Sequence, residues 1–192
     1  PTGNQSLGIT ITPDGRYVYV SAHSSGVVYG YAVGADGRLA AVPGSPFLTT
    51  LLPGELAVTP DGRYLYVNSG SVGGIHAFAI AADGSLSRLP ASPFPAAPGV
   101  GIAITPDGRH LYASESEAGR IAGFFVAADG ALAPIPGSPF AVEDEPYGLG
   151  VTPDGRHLYA ANDATDNVSG YAIGSDGALS PVQGSPFPAG LS

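Results

Sequence analysis

The amino-acid sequence predicts an all-β fold: a β-propeller of four-stranded antiparallel blades, with four blades in the chain. Three observations carry that expectation. Thr-Pro-Asp-Gly-Arg begins at Thr12, Thr59, Thr105 and Thr152, at intervals of 47, 46 and 47 residues. An Asp-Gly pair at Asp36, Asp83, Asp129 and Asp176 keeps the same intervals, and so does Ser-Pro-Phe from Ser45, Ser92, Ser138 and Ser185. A period shared by three separate motifs marks a repeated supersecondary unit. Glycine (29) and proline (19) are abundant, as expected of short strands joined by many turns.

Within the first copy, turn chemistry sets the strands. Gly8–Thr12 alternates isoleucine with glycine or threonine and is the innermost strand. Pro13-Asp14-Gly15 reverses the chain: proline presets φ, aspartate accepts local hydrogen bonds, and glycine takes the left-handed position of a type I hairpin with a bulge. Tyr17–Ser21, rich in aromatic and β-branched residues, is the second strand. Val27–Val33 is the third, Asp36-Gly37 turns again, and Leu39–Val42 is the outer strand. It stops at Pro43, where a missing amide donor is tolerable on an edge.

The third strand predicts how the sheets pack. Aligned positions read Val28, Ile75, Ile121 and Val168, then Gly30, Ala77, Gly123 and Gly170, then Tyr31, Phe78, Phe124 and Tyr171. Both faces are apolar or small, whereas a half-exposed sheet alternates with polar residues. Four strands buried on both faces and repeated at this period make a propeller blade. The expected blades are residues 7–47, 54–94, 101–140 and 147–187 of one domain spanning 1–192.

The run ITPDGRYVYVSAHSSGVVYGYAVGADGRLAAVPGSPF resembles the repeat of lactonase-like β-propellers, relatives of 6-phosphogluconolactonase and carboxymuconate cyclase. It also resembles YVTN-type propellers of microbial surfaces, which share the PDGR-x-hydrophobic-Tyr core. The resemblance extends from about Leu7 to Phe187 and implies the blade; its matching residues are turn and core positions, so it carries over no catalytic residue. It implies seven blades, whereas this sequence has four.

Four blades in an open arc leave an apolar face bare at each end, which drives association. Small third-strand residues (Gly30, Gly123 and Gly170) favour nearly parallel packing of neighbouring blades. The expectation is a homodimer closing an eight-bladed ring about a two-fold axis, with a four-bladed monomer as the alternative. Blade repeats with tidy ends and no Met, Lys, Trp or Cys also suggest an excised or engineered fragment.

Composition excludes several functions. Net charge is −9 with no lysine, and four of the seven arginines sit in the repeated turn, so no basic stripe tracks a phosphate backbone and nucleic acid is not an expected partner. The absence of cysteine removes disulfides, thiolate metal sites and a cysteine nucleophile. No apolar run is long enough to span a membrane, and Pro1 opens no signal-peptide pattern. Localisation stays open, with an extracellular or cell-surface setting as one expectation.

Asp14, Asp61, Asp107 and Asp154, each followed by glycine (Gly15, Gly62, Gly108 and Gly155), are expected to be structural turn residues. A second set of carboxylates, Glu55, Glu115, Glu117, Glu143, Asp144, Glu145, Asp163 and Asp166, falls in the opposite loops, where propellers vary most freely. Apart from Glu55, these form the candidate ligand or metal set, joined by His23 from the same side. No cofactor is required, but an all-oxygen cluster suits Ca²⁺. His110 and His157 replace Tyr17 and Tyr64 as framework variants, and the repeated serines are read as structural. The leading functional expectation is a non-catalytic scaffold or binding module that assembles through its blade faces. The alternatives are a lactonase-like hydrolase with a site at the channel mouth, and a microbial surface interaction domain.

Overall fold

Each Thr-Pro-Asp-Gly-Arg motif closes a hairpin in the same way. In a computed structural model, which describes residues 6–49, 52–70, 73–142 and 145–189, Asp14 Oδ1 accepts from Thr12 Oγ1 at 2.6 Å and from the Arg16 amide at 3.0 Å. The Gly15 amide donates to the Thr12 carbonyl at 2.8 Å, with φ of +71° at Gly15, a conformation cheap only for glycine. Arg16 lies over the Tyr17 ring, 5.1 Å from its centre; its 4.0 Å approach to Asp14 is solvent-exposed and adds little.

Four antiparallel sheets result, each a meander from an inner to an outer strand. Blade 1 consists of Ser6–Ile11, Tyr17–Ala22, Val27–Val33 and Leu39–Ala41. Blade 2 consists of Pro53–Val58, Tyr64–Ser69, Ile75–Ile80 and Leu86–Arg88. Blade 3 consists of Ile102–Ile104, His110–Glu115, Arg120–Val126 and Leu132–Pro134. Blade 4 consists of Pro146–Val151, His157–Asn162, Asn167–Ile173 and Leu179–Pro181.

The outer edge differs from the single strand expected at Leu39–Val42. After the Ser-Pro-Phe motif the chain returns to the third strand, pairing Phe47 with Val28 and Leu48 with Val27. The serine bridges the break: Ser45 Oγ accepts from the Gly30 amide at 3.0 Å, and Ser92, Ser138 and Ser185 accept from Ala77, Gly123 and Gly170. A side-chain oxygen thus replaces the backbone acceptor that the ladder loses.

Each junction between neighbouring blades has its own apolar core. Tyr17, Tyr19, Val28 and Val42 of blade 1 meet Leu56, Leu65, Val67 and Phe78 of blade 2. The next two junctions repeat the arrangement. A tyrosine ties each core across the gap: Tyr19 Oη donates to the Gly84 carbonyl, Tyr66 Oη to Gly130 and Tyr112 Oη to Gly177, at 2.7, 2.8 and 2.8 Å. Burial pushes all three phenols above their ordinary pKa.

Inner strands of successive blades lie side by side, blade 1 to 2, 2 to 3 and 3 to 4, and among the described residues no contact of that extent joins blade 4 to blade 1. Ile9 and Ile11 on blade 1 are 69% and 57% exposed, and Tyr159 on blade 4 is 38% exposed. Among the described residues the blades therefore form an open arc in place of the closed four-bladed ring weighed as the alternative, with the first and last blades not in contact to that extent. No helix among the described residues is long and apolar enough to cross a membrane.

Candidate functional site

Four inner strands line the concave edge of the arc. Their third column reads Gly8, Glu55, Gly101 and Gly148, so one carboxylate interrupts a series of glycines. Gly8 and Gly101 suit a crowded place: a Cβ on Gly8 would come 2.8 Å from Glu55 Cα, and one on Gly101 would strike the backbone of Tyr147 and Leu149. Glu55 fits because its side chain runs across to blade 3. The Ile102 amide approaches Glu55 Oε2 at 3.4 Å, while the Glu55 amide donates to the Val100 carbonyl at 2.9 Å. Burial raises the Glu55 carboxyl above the ordinary carboxylate range, and the contact with Ile102 offsets only part of that rise.

His23 stands at the entrance to the same strand. It begins the short 3-10 turn His23–Ser25 and is half-buried. Its Nδ1 lies 3.2 Å from the Pro53 carbonyl, two residues before Glu55, and its own carbonyl accepts from the Leu52 amide at 3.0 Å. With the proton on Nδ1 donated to Pro53, Nε2 keeps its lone pair. The aligned residue in blade 3, Ser116, also bonds the incoming inner strand, donating to the Pro146 carbonyl at 2.8 Å. Hence a polar residue in this column bonds the backbone at the start of the next blade's inner strand.

The other loop carboxylates do not gather into one site. Glu115 is 4% exposed, accepts from the Ala97 amide at 2.8 Å and pairs with Arg120 Nε at 3.1 Å. A buried carboxylate with both oxygens engaged is an anchor for the connection between blades 2 and 3. Glu117, Glu145, Asp163 and Asp166 are exposed; the Asp163 amide donates to the Glu145 carbonyl, a backbone link that leaves the carboxylates in solvent. Glu143 and Asp144 lie outside the described residues. Among the described residues no three His, Asp or Glu side chains come together as a metal-ligand group.

The sequence reading places Glu55 among the loop carboxylates and leaves it out of the candidate set, whereas it stands on the inner strand Pro53–Val58. The signal was present in the aligned column, where glutamate replaces glycine. Three clefts of about 470–580 Å³ lie between the repeated turns at the other end of the blades. Each is lined by one or two turn arginines together with two turn aspartates, so neither charge sign dominates.

The sequence matches the family model described as lactonase, 7-bladed beta-propeller, over residues 1–100 and 85–190. Among solved structures, the Pseudomonas aeruginosa periplasmic gluconolactonase PpgL superposes with a TM-score of 0.80 at 24% identity, covering 95% of this chain and 55% of that one. A Lactobacillus plantarum protein gives 0.79 at 28%, covering 96% and 56%. A Bacteroides uniformis protein assigned as a 6-phosphogluconolactonase gives 0.80 at 23%, covering 93% and 54%. The chain therefore spans little more than half the length of these structures. No match was found among curated proteins. The family match overturns the leading expectation of a non-catalytic scaffold. That expectation rested on turn and core residues, which build blades whatever the channel does.

Proposed function

We propose that this chain, which belongs to the lactonase family of seven-bladed β-propellers, hydrolyses a sugar lactone at the concave edge of its arc, beside Glu55. The observation that carries this reading is the one carboxylate in an inner-strand column otherwise made of glycine, held above its ordinary pKa by burial. Lactone hydrolysis adds water to the ring carbonyl and breaks the bond between that carbon and the ring oxygen, leaving a hydroxy acid. The Glu55 carboxylate takes a proton from the attacking water, and the resulting acid returns it to the departing ring oxygen. A base works best when its pKa lies near the working pH, so a raised carboxyl suits the task. His23, with Nδ1 fixed on Pro53, offers Nε2 as a second acceptor at the mouth.

Charge favours a neutral substrate. The solved relatives include proteins named for gluconolactone and for its 6-phospho form, and a phosphate calls for arginine or lysine. Of the seven arginines, Arg120 starts a third strand at the loop end and is held by Glu115, Arg88 lies on an outer strand bonded to the Leu48 carbonyl, and Arg16, Arg38, Arg63, Arg109 and Arg156 belong to the turns at the other end. An unphosphorylated aldonolactone is the better fit to this edge. The homodimer is part of the same reading: four further blades from a second copy would enclose the channel and exclude bulk water.

The test is turnover of such a lactone above its spontaneous opening. Glu55→Gln lowers kcat by about a hundredfold or more, and Glu145→Gln, which alters an exposed carboxylate, leaves it unchanged. Full activity in the Glu55→Gln protein would overturn the reading.

A further inference from the structure

Glu55 is held by two successive peptide units of blade 3. The carbonyl of the Val100–Gly101 unit accepts from the Glu55 amide at 2.9 Å, and its N–H donates to Ser114 Oγ at 2.8 Å. The Gly101–Ile102 unit presents its N–H to Glu55 Oε2 at 3.4 Å, while its carbonyl accepts from Asn68 Nδ2 at 3.0 Å. A trans peptide is planar, with its C=O and N–H on opposite sides. A donor fixed on the Gly101 oxygen therefore sets the direction in which the Ile102 N–H points.

Asn68 breaks the repeat just as Glu55 does, and in the same blade. Its second-strand column reads Ser21, Asn68, Ser114 and Ala161. Where serine stands, the hydroxyl serves its own inner strand. Ser21 Oγ accepts from the Gly8 amide at 2.9 Å, and Ser114 Oγ accepts from the Val100 and Gly101 amides at 3.2 and 2.8 Å. Glu55 is the counterpart of Gly8 and Gly101, yet its amide turns to blade 3 instead. Asparagine is longer than serine and carries two N–H donors. Asn68 is fully buried, and its Nδ2 reaches the Ser114 carbonyl at 3.0 Å as well as that of Gly101. Its Oδ1 accepts from the Ser69 amide at 3.0 Å, so both ends of the side-chain amide are tied. A buried network satisfied in this way holds one arrangement.

The geometry points to Asn68 as the positioning residue for Glu55: it locks the Gly101–Ile102 peptide so that the Ile102 N–H faces the carboxylate. Oε2 is then the held oxygen, and Oε1 is the one that meets the attacking water. Asn68 acts only through the Ile102 amide and touches no reacting atom. The two departures from the repeat, asparagine for serine and glutamate for glycine, meet on this one peptide unit. Placing a base matters as much as its acidity, since an error of about 1 Å costs about a hundredfold in rate. The inference rests on the reading of Glu55 as the base in lactone hydrolysis.

Asn68→Ser, which installs the residue that blades 1 and 3 carry, tests it beside Ser138→Ala, which removes a hydrogen bond at the outer edge of blade 3. Two quantities are read on the 192-residue chain. One is turnover of a neutral aldonolactone. The other is the titration midpoint of the Glu55 carboxyl by carbon-13 NMR, its resonance identified by its absence in Glu55→Gln. Burial raises this carboxyl and the Ile102 contact lowers it, so freeing the peptide leaves burial unopposed. Asn68→Ser is expected to move the midpoint upward and to lower kcat about tenfold or more at unchanged KM. Ser138→Ala moves neither. The same Glu55 midpoint in Asn68→Ser as in the parent overturns the inference, and so does an equal shift in Ser138→Ala or a parental kcat in Asn68→Ser. The parent alone supplies a further check: its Ile102 amide resonance follows the Glu55 titration, and a flat response there also overturns the inference. A parent that turns over no lactone sinks the hydrolase reading, while the titrations still decide whether Asn68 orients Glu55.

Discussion

Tyr66 of blade 2 donates its hydroxyl to the carbonyl of Gly130 in blade 3 at 2.8 Å, with both atoms shielded from water. Tyr66 is fully buried, so Tyr66→Phe keeps the ring in place and strands a buried carbonyl. The expected loss is about 1–3 kcal/mol, read as a lower urea midpoint with an unchanged slope.

The serine that bridges the outer edge makes a smaller prediction. Ser138 Oγ accepts from the Gly123 amide at 2.9 Å, and alanine there leaves that partly buried amide without its acceptor. Ser138→Ala costs about 1 kcal/mol in chemical denaturation. Ser87→Ala, on the exposed part of an outer strand, costs nothing measurable.

His76 gives the fold an acid limit. It is fully buried, and burial first, then the Arg88 charge, lowers its pKa from 6.5 to about 4. The unfolded chain therefore binds this proton more readily than the folded one. The stability it contributes is complete above pH 6.5 and is lost as pH falls toward 4. Melting temperature followed across that window should fall less steeply in His76→Gln than in the parent protein.

Glu55 has the opposite sign. Its carboxyl is raised by burial, so the folded chain holds that proton more tightly than the unfolded one. Ionising it costs stability, a cost absent below the ordinary carboxylate range and complete above the raised value. Glu55→Gln is expected to be more stable than the parent at neutral pH and to lose that advantage in acid. Equal melting temperatures at both pH values would remove the buried-carboxylate account.

The blades were legible in the sequence because their determinants are local. Asp14 bonds Thr12 and Arg16 within its own turn, and the register of Tyr17–Ala22 against Val27–Val33 follows from the short loop between them. What the sequence concealed lies between blades. Glu55 gains its setting from Val100 and Ile102, more than forty residues away. Glu115 looked like a loop ligand, yet Ala97 and Arg120 make it a buried anchor. Whether four blades close depends on a small angle at each junction, set by packing that no single motif encodes. The repeat itself obscured chemistry, since its motifs are turns and core positions, and the informative residue was the one that broke a column of Gly8, Gly101 and Gly148.

The most direct test of the central claim is proton release at constant pH from a neutral aldonolactone, comparing the parent chain with Glu55→Gln. The account predicts acid production well above the spontaneous rate for the parent and close to that rate for the variant. Equal rates for the two proteins, whether both fast or both at the spontaneous level, would contradict it.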